Sequence, residues 1–396
     1  MSSKTNTTAT RDEATPPLVP KLRFPEFRGT EGWDVEFLGN ICQPQQWPTI
    51  SSNELVGEGY PVYGANGFIG YYTDFNHELE TVAVTCRGST CGEVSLIPPK
   101  SYITGNSMCL DGIDSVRNSY HFVYHLLKHR GFYDIISGSA QPQIVGNAIK
   151  RLRIALASKP EQQKIAECLI SVDELMAAQA RKVDALKTHK KGLMQQLFPR
   201  EGETQPRLRF PEFRSAGEWE VKPLGKVAEN LDNRRVPITS SDRKAGDVPY
   251  YGASGIVDYV EGFIFDEDLL CVSEDGANLV ARTYPIAFPI SGKTWVNNHA
   301  HVLRFEHACT QKFVEVYLNS IKLDDFITGM AQPKLNKAML DRIPIPHPRV
   351  PEQQRIAACL SSLDALLTAE TQKLEALKTH KKGLMQQLFP SPENQL

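Results

Sequence analysis

The chain has 396 residues and a mass of 44.3 kDa, which is enough for two or three domains of ordinary size. Its 41% hydrophobic and 23% charged residues exclude a disordered or collagen-like chain. The net charge of −2 excludes nucleic-acid binding through bulk positive charge, so any basic surface has to be local. The sequence shows no apolar run of transmembrane length, no secretory signal and eight scattered cysteines, so we expect a cytoplasmic protein with reduced thiols.

Two blocks of sequence occur twice. Residues 21–41 return at 207–227, and residues 160–199 return at 351–390 with 28 of 40 positions identical, including an unbroken run of 15 that ends at Pro199. The sequences between these blocks diverge. A recent duplication alone would leave all parts equally alike, so the pattern favours an adaptor that presents two like surfaces and two unlike ones.

The longer block predicts one long helix in each half. Apolar residues recur there at alternating spacings of three and four, the a/d pattern of a coiled coil. Pro160 and Pro351 mark the helix starts. Each helix needs a partner for its apolar stripe, and the other copy is available; a coiled coil between two chains is the alternative. The seam positions are Ile165, Leu169, Val172, Met176, Gln179, Val183, Leu186, Lys190, Leu193 and Leu197, then Ile356, Leu360, Leu363, Leu367, Glu370, Leu374, Leu377, Lys381, Leu384 and Leu388.

The variable blocks are predicted to be mostly β. Residues 59–72 and 81–97 each predict two strands joined by a turn. The second half is expected to repeat this plan, with a turn at 274–278 and a strand through Arg282. Strands and helices in this arrangement give an α+β fold class.

Each variable block is also expected to contain one amphipathic helix and one polar loop. The helices are predicted from Phe122 through Ile136 and from Phe313 through Ile321. The loops, rich in Gly, Ser and Gln, cover 137–143 and 328–334 and lead to a short strand and then the long helix.

Patterns that could indicate catalysis or a metal site are incomplete. Residues 291–294, Ser-Gly-Lys-Thr, match the end of a phosphate-binding loop, but Ala287 replaces a required glycine and Pro289 removes one N–H group. The histidines at 299, 301 and 307 could indicate zinc, but copy one has Ser107 and Cys109 at the positions that match 299 and 301, so ordinary surface or core histidines are expected. A base-positioning motif of the amino-methyltransferase type is also missing. The sequence therefore predicts a binding module with no catalytic residue, no metal site and no cofactor of its own.

Two divergent blocks that alternate with two near-identical helices, each opened by Pro-Glu-Gln-Gln-(Lys/Arg)-Ile-Ala, resemble the specificity (S) subunit of a type I restriction-modification enzyme, in its internally duplicated subclass. The resemblance covers roughly residues 22–390. It implies two target-recognition domains and two spacer helices that pair as an antiparallel coiled coil with pseudo-two-fold symmetry. The expected boundaries are a disordered tail at 1–20, domains at 21–159 and 200–350, helices at 160–199 and 351–390, and a tail at 391–396.

The resemblance also implies a division of labour. Each domain is expected to read one half of a bipartite, asymmetric site in double-stranded DNA. Two modification subunits are expected to dock on the repeated surfaces and to methylate adenine at N6. Restriction subunits are expected to add translocation and cleavage. S-adenosylmethionine, ATP and Mg are then expected on those partners.

The residues expected to touch DNA are polar side chains on loops, since Arg, Lys, Asn, Gln and hydroxyl groups read base edges. Lys293 is expected to contact a phosphate, and the glycines at 64, 88, 252 and 276 are expected to serve the backbone conformation instead. The predicted DNA-binding residues are Asn66, Arg87, Ser89, Thr90, Ser139, Gln141, Gln143, Ser254, Asn278, Lys293, Gln332, Lys334 and Asn336.

The identical Lys-Thr-His-Lys-Lys runs at 187–191 and 378–382 are expected to bind the modification subunits, with a solvated helix face as the alternative. A rival function is a scaffold that holds two unlike proteins without DNA, and a self-contained enzyme is a second rival. The predicted partner-binding residues are Lys187, His189, Lys190, Lys191, Lys378, His380, Lys381 and Lys382.

Overall fold

The computed structural model describes residues 18–138, 140–200, 202–329 and 332–391. The chain forms two compact units. Unit one combines the residues up to Ala180 with those from Gln372 onward, and unit two consists of Arg181–Thr371. The unit boundaries fall within the long helices and not at their ends, so each unit holds part of both helices. No helix within the described ranges is long and apolar enough to span a membrane.

The described residues of unit one form nine strands. A four-stranded sheet has the order β2-β8-β5-β6, a three-stranded sheet has the order β4-β3-β7, and β1 pairs with β9. The strand β5 consists mostly of Val and Thr, and all five of its residues are buried. This is expected for a central strand of β-branched residues. The strands are β1 Asp34–Phe37, β2 Gln43–Gln46, β3 Tyr60–Gly64, β4 Gly67–Tyr72, β5 Thr81–Thr85, β6 Val94–Ile97, β7 Tyr102–Ile103, β8 Ser107–Asp111 and β9 Arg153–Leu156.

Among the described residues of this half of the chain, three α-helices begin: α1 Tyr120–Arg130, α2 Gly146–Lys150 and α3 Lys159–Leu197. The buried face of α1, with Phe122 and Leu126, packs in one core with the first turns of α3. The prediction that the amphipathic helix continues through Ile136 was wrong. The helix ends at Arg130 because Gly131 follows with φ +69°, a backbone conformation that terminates a helix.

Unit two repeats this plan of sheets. The orders are β11-β18-β15-β16 and β13-β12-β17-β14, and β10 pairs with β19. Its strands are β10 Glu220–Pro223, β11 Glu229–Asn230, β12 Ala245–Gly252, β13 Gly255–Val260, β14 Phe265–Asp266, β15 Leu269–Ser273, β16 Ala287–Ile290, β17 Lys293–Val296, β18 Ala300–Arg304 and β19 Pro344–His347. Its helices are α4 Leu224–Val227, α5 Asn278–Ala281, α6 Ala308–Ser320, α7 Lys337–Arg342 and α8 Val350–Leu388. The strand predicted through Arg282 was wrong, because that segment is the short helix α5.

The two long helices run antiparallel in each unit. In unit one the start of α3, at Ile165 and Leu169, shares a core with the end of α8, at Leu388 and Phe389. In unit two Leu197, at the end of α3, shares a core with Ile356 and Leu360 at the start of α8. All 20 predicted seam positions are buried or half-buried. The predicted pairing of the two copies within one chain is confirmed.

Part of the predicted N-terminal tail belongs to the folded unit. Leu18 pairs with Trp33 in an isolated β-bridge, and Pro20 is buried. The rest of that predicted tail, residues 1–17, and most of the C-terminal one, residues 392–396, lie outside the described residues.

Candidate DNA interface

Two turns meet at one end of unit one. The first is the hairpin turn between β3 and β4, which contains Ala65 and Asn66. The second is the turn that follows β5. Its Thr90 hydroxyl lies 3.2 Å from the carbonyl oxygen of Ala65, to which it donates, and 3.0 Å from Oδ1 of Asn66. Thr85, at the end of β5, donates a hydrogen bond to the same carbonyl at 3.0 Å. The hairpin tip is therefore fixed to the turn of the central sheet.

The predicted loop 137–143 joins the same surface. The amide of Gly88 donates to the carbonyl of Pro142 at 3.1 Å, and Arg87 pairs with Gln143 in a β-bridge. Gly88 has φ +90°, which confirms that this glycine serves the backbone. We call the three segments 65–66, 87–90 and 137–143 the unit-one loop cluster.

The predicted contacts of unit one that the structure describes lie together on this cluster. Thr90 is half-buried and Ser139 lies outside the described residues. The exposed members are Asn66, Arg87, Ser89, Gln141 and Gln143.

Unit two builds the same cluster from different side chains. Ser273, at the end of β15, donates to the carbonyl of Ala253 at 2.5 Å, as Thr85 does to Ala65. The amide of Gly276 donates to the carbonyl of Pro333 at 3.1 Å. We call the segments 253–254, 274–277 and 328–334 the unit-two loop cluster; its residues 330 and 331 lie outside the described ranges.

The side chains on the unit-two cluster include some that the sequence reasoning missed. Ser254, Gln332 and Lys334 are exposed, as expected of contacts. The hydroxyl of Tyr284 lies 3.0 Å from that of Ser254, and His299 lies 2.7 Å from a carboxylate oxygen of Asp275. Tyr284 follows no turn signal, so only the folded structure shows that it belongs to this surface. Asn297-Asn298 before His299 is a turn signal that could have indicated that histidine.

Asn278, one of the predicted DNA contacts, is held inside the fold. It is only 8% exposed. Its Oδ1 accepts hydrogen bonds from the amides of Thr283 and Tyr284 and from the Thr283 hydroxyl, and its Nδ2 donates to the Tyr284 carbonyl. All of these bonds close the loop that follows α5, so this side chain has a structural role.

Two more predicted contacts, Asn336 and Lys293, do not lie on the unit-two loop cluster. Asn336 is the N-cap of α7, where its Oδ1 accepts from the amide of Met339 at 3.1 Å. Asn before a helical run is a sequence signal for this role. Lys293 is exposed but begins β17, with its ammonium 5.0 Å from the Phe263 ring centre, and it is not on the loop cluster.

A buried charged network supports the unit-two cluster. His301 contacts Asp232 at 2.6 Å through Nδ1 and the Leu335 carbonyl at 2.7 Å through Nε2. Arg235 donates to Glu274 at 2.7 Å, and Lys334 lies 3.2 Å from the same carboxylate. Burial is the largest single effect and raises the pKa of Asp232. The hydrogen bond and charge of His301, the Val302 amide and the charge of Arg235 together outweigh burial, so that pKa is lowered.

Thiols occupy the matching place in unit one. The Cys86 thiol donates hydrogen bonds to the backbone carbonyls of Gly105 and Asn106, and the Gln46 side chain donates one to its Sγ at 3.0 Å. Burial raises the pKa of both Cys86 and Cys109, so both remain protonated thiols. None of the eight cysteines, all within the described residues, forms a disulfide.

Two groups of potential metal ligands are engaged in other bonds. Asp232, Glu274 and His301 bind one another, Arg235 and the backbone. His77 and Cys109 lie near Asp111, and His77 bonds that carboxylate at 3.0 Å while Trp47 donates to it at 3.0 Å. In both groups, the carboxylate and the histidine that could bind a metal are therefore already engaged in hydrogen bonds with neighbouring groups.

The repeated architecture matches a known family model. The model of the type I restriction modification DNA specificity domain matches residues 30–188 and again residues 216–379. Together the two matches cover well over half of the chain. The chain belongs to this family.

Curated relatives of the family have similar sequences. The specificity subunit S.HindORF215P of Haemophilus influenzae, named as part of a type I restriction enzyme, is 40% identical over 149 residues. That alignment covers 38% of each of the two chains. The type I restriction enzyme MjaVIII specificity subunit of Methanocaldococcus jannaschii is 23% identical, with 92% of this chain and 95% of that protein aligned.

Solved structures share the fold. The S subunit of a type I restriction-modification system from M. genitalium aligns with a TM-score of 0.66 at 19% identity, and the alignment covers 94% of this chain and 99% of that one. A second chain comes from a structure described as the basis of complex assembly and conformational transition of the type I system. It aligns with a TM-score of 0.53 at 16% identity and covers 91% of this chain and 98% of its own. These likenesses show that the family fold extends over nearly the whole chain.

The predicted partner-binding residues of this specificity-domain chain divide into two groups. Lys190 pairs with Asp364, and Lys381 donates to both oxygens of Asp173 at 2.5 and 2.7 Å. Both lysines therefore act between the helices, as expected of polar seam residues, and are poor candidates for contact with a partner. The exposed group is Lys187, His189, Lys191, Lys378, His380 and Lys382.

Proposed function

We propose that this chain is the DNA-recognition subunit of a type I restriction-modification complex, and that each unit reads one half of a bipartite, asymmetric target. One observation carries the proposal. Both units form the same three-segment loop cluster with equivalent backbone bonds, Gly88 to Pro142 and Gly276 to Pro333, each at 3.1 Å. The exposed side chains on the two clusters differ. Two loop clusters with the same backbone bonds but different side chains suit two domains that recognise different half-sites.

The side chains on the clusters have the chemistry of base readout. In unit one, Arg87, Gln141 and Gln143 offer the paired donors and acceptors that bind guanine or adenine edges in the major groove. In unit two, Gln332 and Lys334 offer the same kinds of group. Because base contacts specify the sequence while phosphate contacts position the protein, these loops are the proposed determinants of the target.

Two identical helix faces are the proposed docking surfaces for two modification subunits. Within the 15-residue run of identity, the same positions are exposed in both copies. Several exposed residues nearer the start of each helix differ, as Glu167 and Glu174 correspond to Ala358 and Ala365, although Gln163 and Ser171 match Gln354 and Ser362. Packing cannot explain identity at exposed positions, whereas a partner present in two copies can. The exposed positions of the run are 185, 187, 188, 189, 191, 195 and 196, and 376, 378, 379, 380, 382, 386 and 387.

The proposal assigns no catalysis to this chain. The modification subunits bind S-adenosylmethionine and methylate adenine at N6, and restriction subunits use ATP and Mg for translocation and cleavage. The 39-residue helices α3 and α8 act as the spacer between the two readers. The complex works on cytoplasmic DNA.

Sequencing of modified bases in host DNA tests this function, with the gene intact and deleted. The expected result is the loss of N6-methyladenine from one bipartite motif on deletion. A matched strain carrying the chain with Gln141→Ala and Gln143→Ala should lose methylation or change only one half of that motif. An unchanged pattern of methylation in the deletion strain contradicts the proposal and favours the scaffold without DNA.

A further inference from the structure

The turns that follow β5 and β15 occupy the same place in the two units. Arg87 forms a β-bridge with Gln143, and Asp275 forms the matching β-bridge with Lys334. The glycine after each of them donates a backbone hydrogen bond of 3.1 Å to the carbonyl of a proline. Arg87 and Asp275 are therefore equivalent positions in the two loop clusters, and their side chains carry opposite charges.

A second pair of equivalent positions lies next to the first in each unit. The amide of Cys86 donates to the carbonyl of Asn106 at 3.0 Å, and the amide of Glu274 donates to the carbonyl of His299 at 2.9 Å. Asn106 therefore corresponds to His299 in the fold, one residue before the match that the sequence alone suggests. Both side chains are exposed. We call the four residues the turn pairs: Arg87 with Asn106 in unit one, and Asp275 with His299 in unit two.

The turn pair of unit one offers hydrogen-bond donors. The Arg87 side chain is exposed and forms no ion pair with the described part of the chain. The Asn106 side chain has no hydrogen-bond partner among those same residues. A guanidinium has only donors, and in the major groove its best match is the edge of guanine, where O6 and N7 both accept.

The turn pair of unit two offers an acceptor instead. Nδ1 of His299 lies 2.7 Å from Oδ2 of Asp275, and this contact orients the carboxylate. The other oxygen of Asp275, Oδ1, receives no hydrogen bond from any residue that the structure describes. The Asp275 side chain is 32% exposed. An ionised carboxylate only accepts, so its best match in the major groove is the N4 amino group of cytosine.

Stability does not explain the carboxylate at this position. An exposed ion pair such as that of Asp275 with His299 contributes little to the free energy of unfolding. The nearby cations Arg235 and Lys334 pair with the adjacent Glu274 and not with Asp275. A negative charge on a DNA-binding loop also repels phosphates and lowers the affinity for any duplex. A carboxylate placed there is explained if it recognises a base.

We propose that the turn pairs determine one base in each half-site and that they do so with opposite hydrogen-bond polarity. Arg87, beside Asn106, donates to a guanine in the half read by unit one. Asp275, held by His299, accepts from the amino group of a cytosine in the half read by unit two. This inference rests on the proposed function and adds to it which base one loop of each unit selects.

Binding of the assembled complex to duplexes with one substituted base pair tests the proposal, once sequencing of N6-methyladenine has given the motif. Asp275→Asn is expected to lose about tenfold or more of the discrimination at one C·G pair in the half read by unit two. The same variant should bind unrelated DNA more tightly, because a charge that repels phosphates is gone. Arg87→Gln should lose discrimination at a guanine in the other half and bind unrelated DNA more weakly. At that guanine, 7-deazaguanine, which lacks the N7 acceptor, should weaken binding by the wild type and not by Arg87→Gln.

Two further variants separate base recognition from folding. Asp266→Asn removes the same charge from an exposed position of β14, outside the loop cluster, and should bind like the wild type. His299→Ala leaves the Asp275 carboxylate without its orienting partner and should weaken discrimination at the same C·G pair. All of these variants change exposed side chains, so their melting temperatures should stay close to that of the wild type.

The outcomes separate the turn pairs from the proposed function. Asp275→Asn and His299→Ala proteins that discriminate like Asp266→Asn overturn the inference. A unit-two half-site without any C·G pair also overturns it; that half is the one left unchanged when residues 42–150 are exchanged. A wild-type complex that binds its motif no more tightly than unrelated duplex DNA contradicts the proposed function itself.

Discussion

Arg23 and Glu161 form a buried ion pair with two parallel hydrogen bonds, 2.8 Å from Nε to Oε1 and 2.7 Å from Nη2 to Oε2. Unit two repeats it with Arg209 and Glu352 at 2.7 and 2.8 Å. Each pair ties an Arg-Phe-Pro-Glu-Phe segment to the first turn of a long helix. This buried ion pair, which we call the joint, explains why the two sequence blocks are repeated together. It does not explain the identity of the exposed residues at the end of the helix block, which requires a partner protein.

Removal of one member of this joint is expected to destabilise unit one. Arg23→Met leaves the Glu161 carboxylate, which is 1% exposed, buried without its partner, at a cost of about 3–5 kcal/mol in the free energy of unfolding. Urea denaturation followed by circular dichroism measures it. The control is Arg355→Met, which breaks an exposed pair with Glu212 and should cost less than about 1 kcal/mol. Equal effects of the two variants contradict this view of the joint.

His125 is expected to make unit one sensitive to acid. Burial, with a smaller contribution from Lys381, lowers its pKa from 6.5 to about 3, although Asp173 lies 3.8 Å away. Between about pH 3 and pH 6.5, the His125 imidazole therefore binds a proton in the unfolded chain but not in the folded chain. Stability from this group is complete above pH 6.5 and is lost as the pH falls towards 3, with a slope of at most about 1.4 kcal/mol per pH unit.

The variant His125→Val isolates this contribution, because Val316 occupies the matched position in unit two. Urea denaturation at pH 6.5, 5.5 and 4.5 should show a smaller loss of stability for the variant than for the wild type. Identical pH dependence of the two proteins would show that His125 is not held neutral in the fold.

Asn278 and Ser254 should separate structure from recognition in unit two. Asn278→Ala leaves the amides of Thr283 and Tyr284 without their acceptor and is expected to destabilise the unit by about 1–3 kcal/mol. Ser254→Ala removes an exposed hydroxyl and should leave stability within about 0.5 kcal/mol while it weakens DNA binding. Thermal unfolding and DNA titration of both variants test the contrast, and a destabilised Ser254→Ala would contradict it.

The loop clusters should act on separate half-sites. Gln143→Ala is expected to reduce discrimination in the half read by unit one by about 1–3 kcal/mol, and Gln332→Ala should do the same for the other half only. Binding of the assembled complex to duplexes with one substituted half-site at a time measures both effects. A variant that alters discrimination in both halves equally is incompatible with one reader per unit.

The local patterns of the sequence predicted most of the fold. The a/d spacing predicted both long helices, since a 39-residue helix buries its stripe with a fixed period. The turn signals at Asn66-Gly67 and Arg87-Gly88 predicted the segments that meet in the loop cluster. The end of α1 was missed, although Gly131 is a helix-stop signal that could have shown it.

Long-range contacts could not be predicted from local patterns. The partners Asp364 of Lys190 and Asp173 of Lys381 are distant in sequence and come close only when the helices pair. Asn278 has the same local signal as a surface turn residue, and its burial follows from the loop that closes over it. Turn chemistry predicts where a polar residue lies along the chain, but not whether the fold leaves it free.

Exchange of residues 42–150 for the corresponding segment of a relative, followed by sequencing of N6-methyladenine in the host, tests the central claim most directly. The account predicts that one half of the methylated motif changes and that the other half and the spacing between them stay the same. A change in both halves, or a change in the spacing alone, would contradict the assignment of one half-site to each unit.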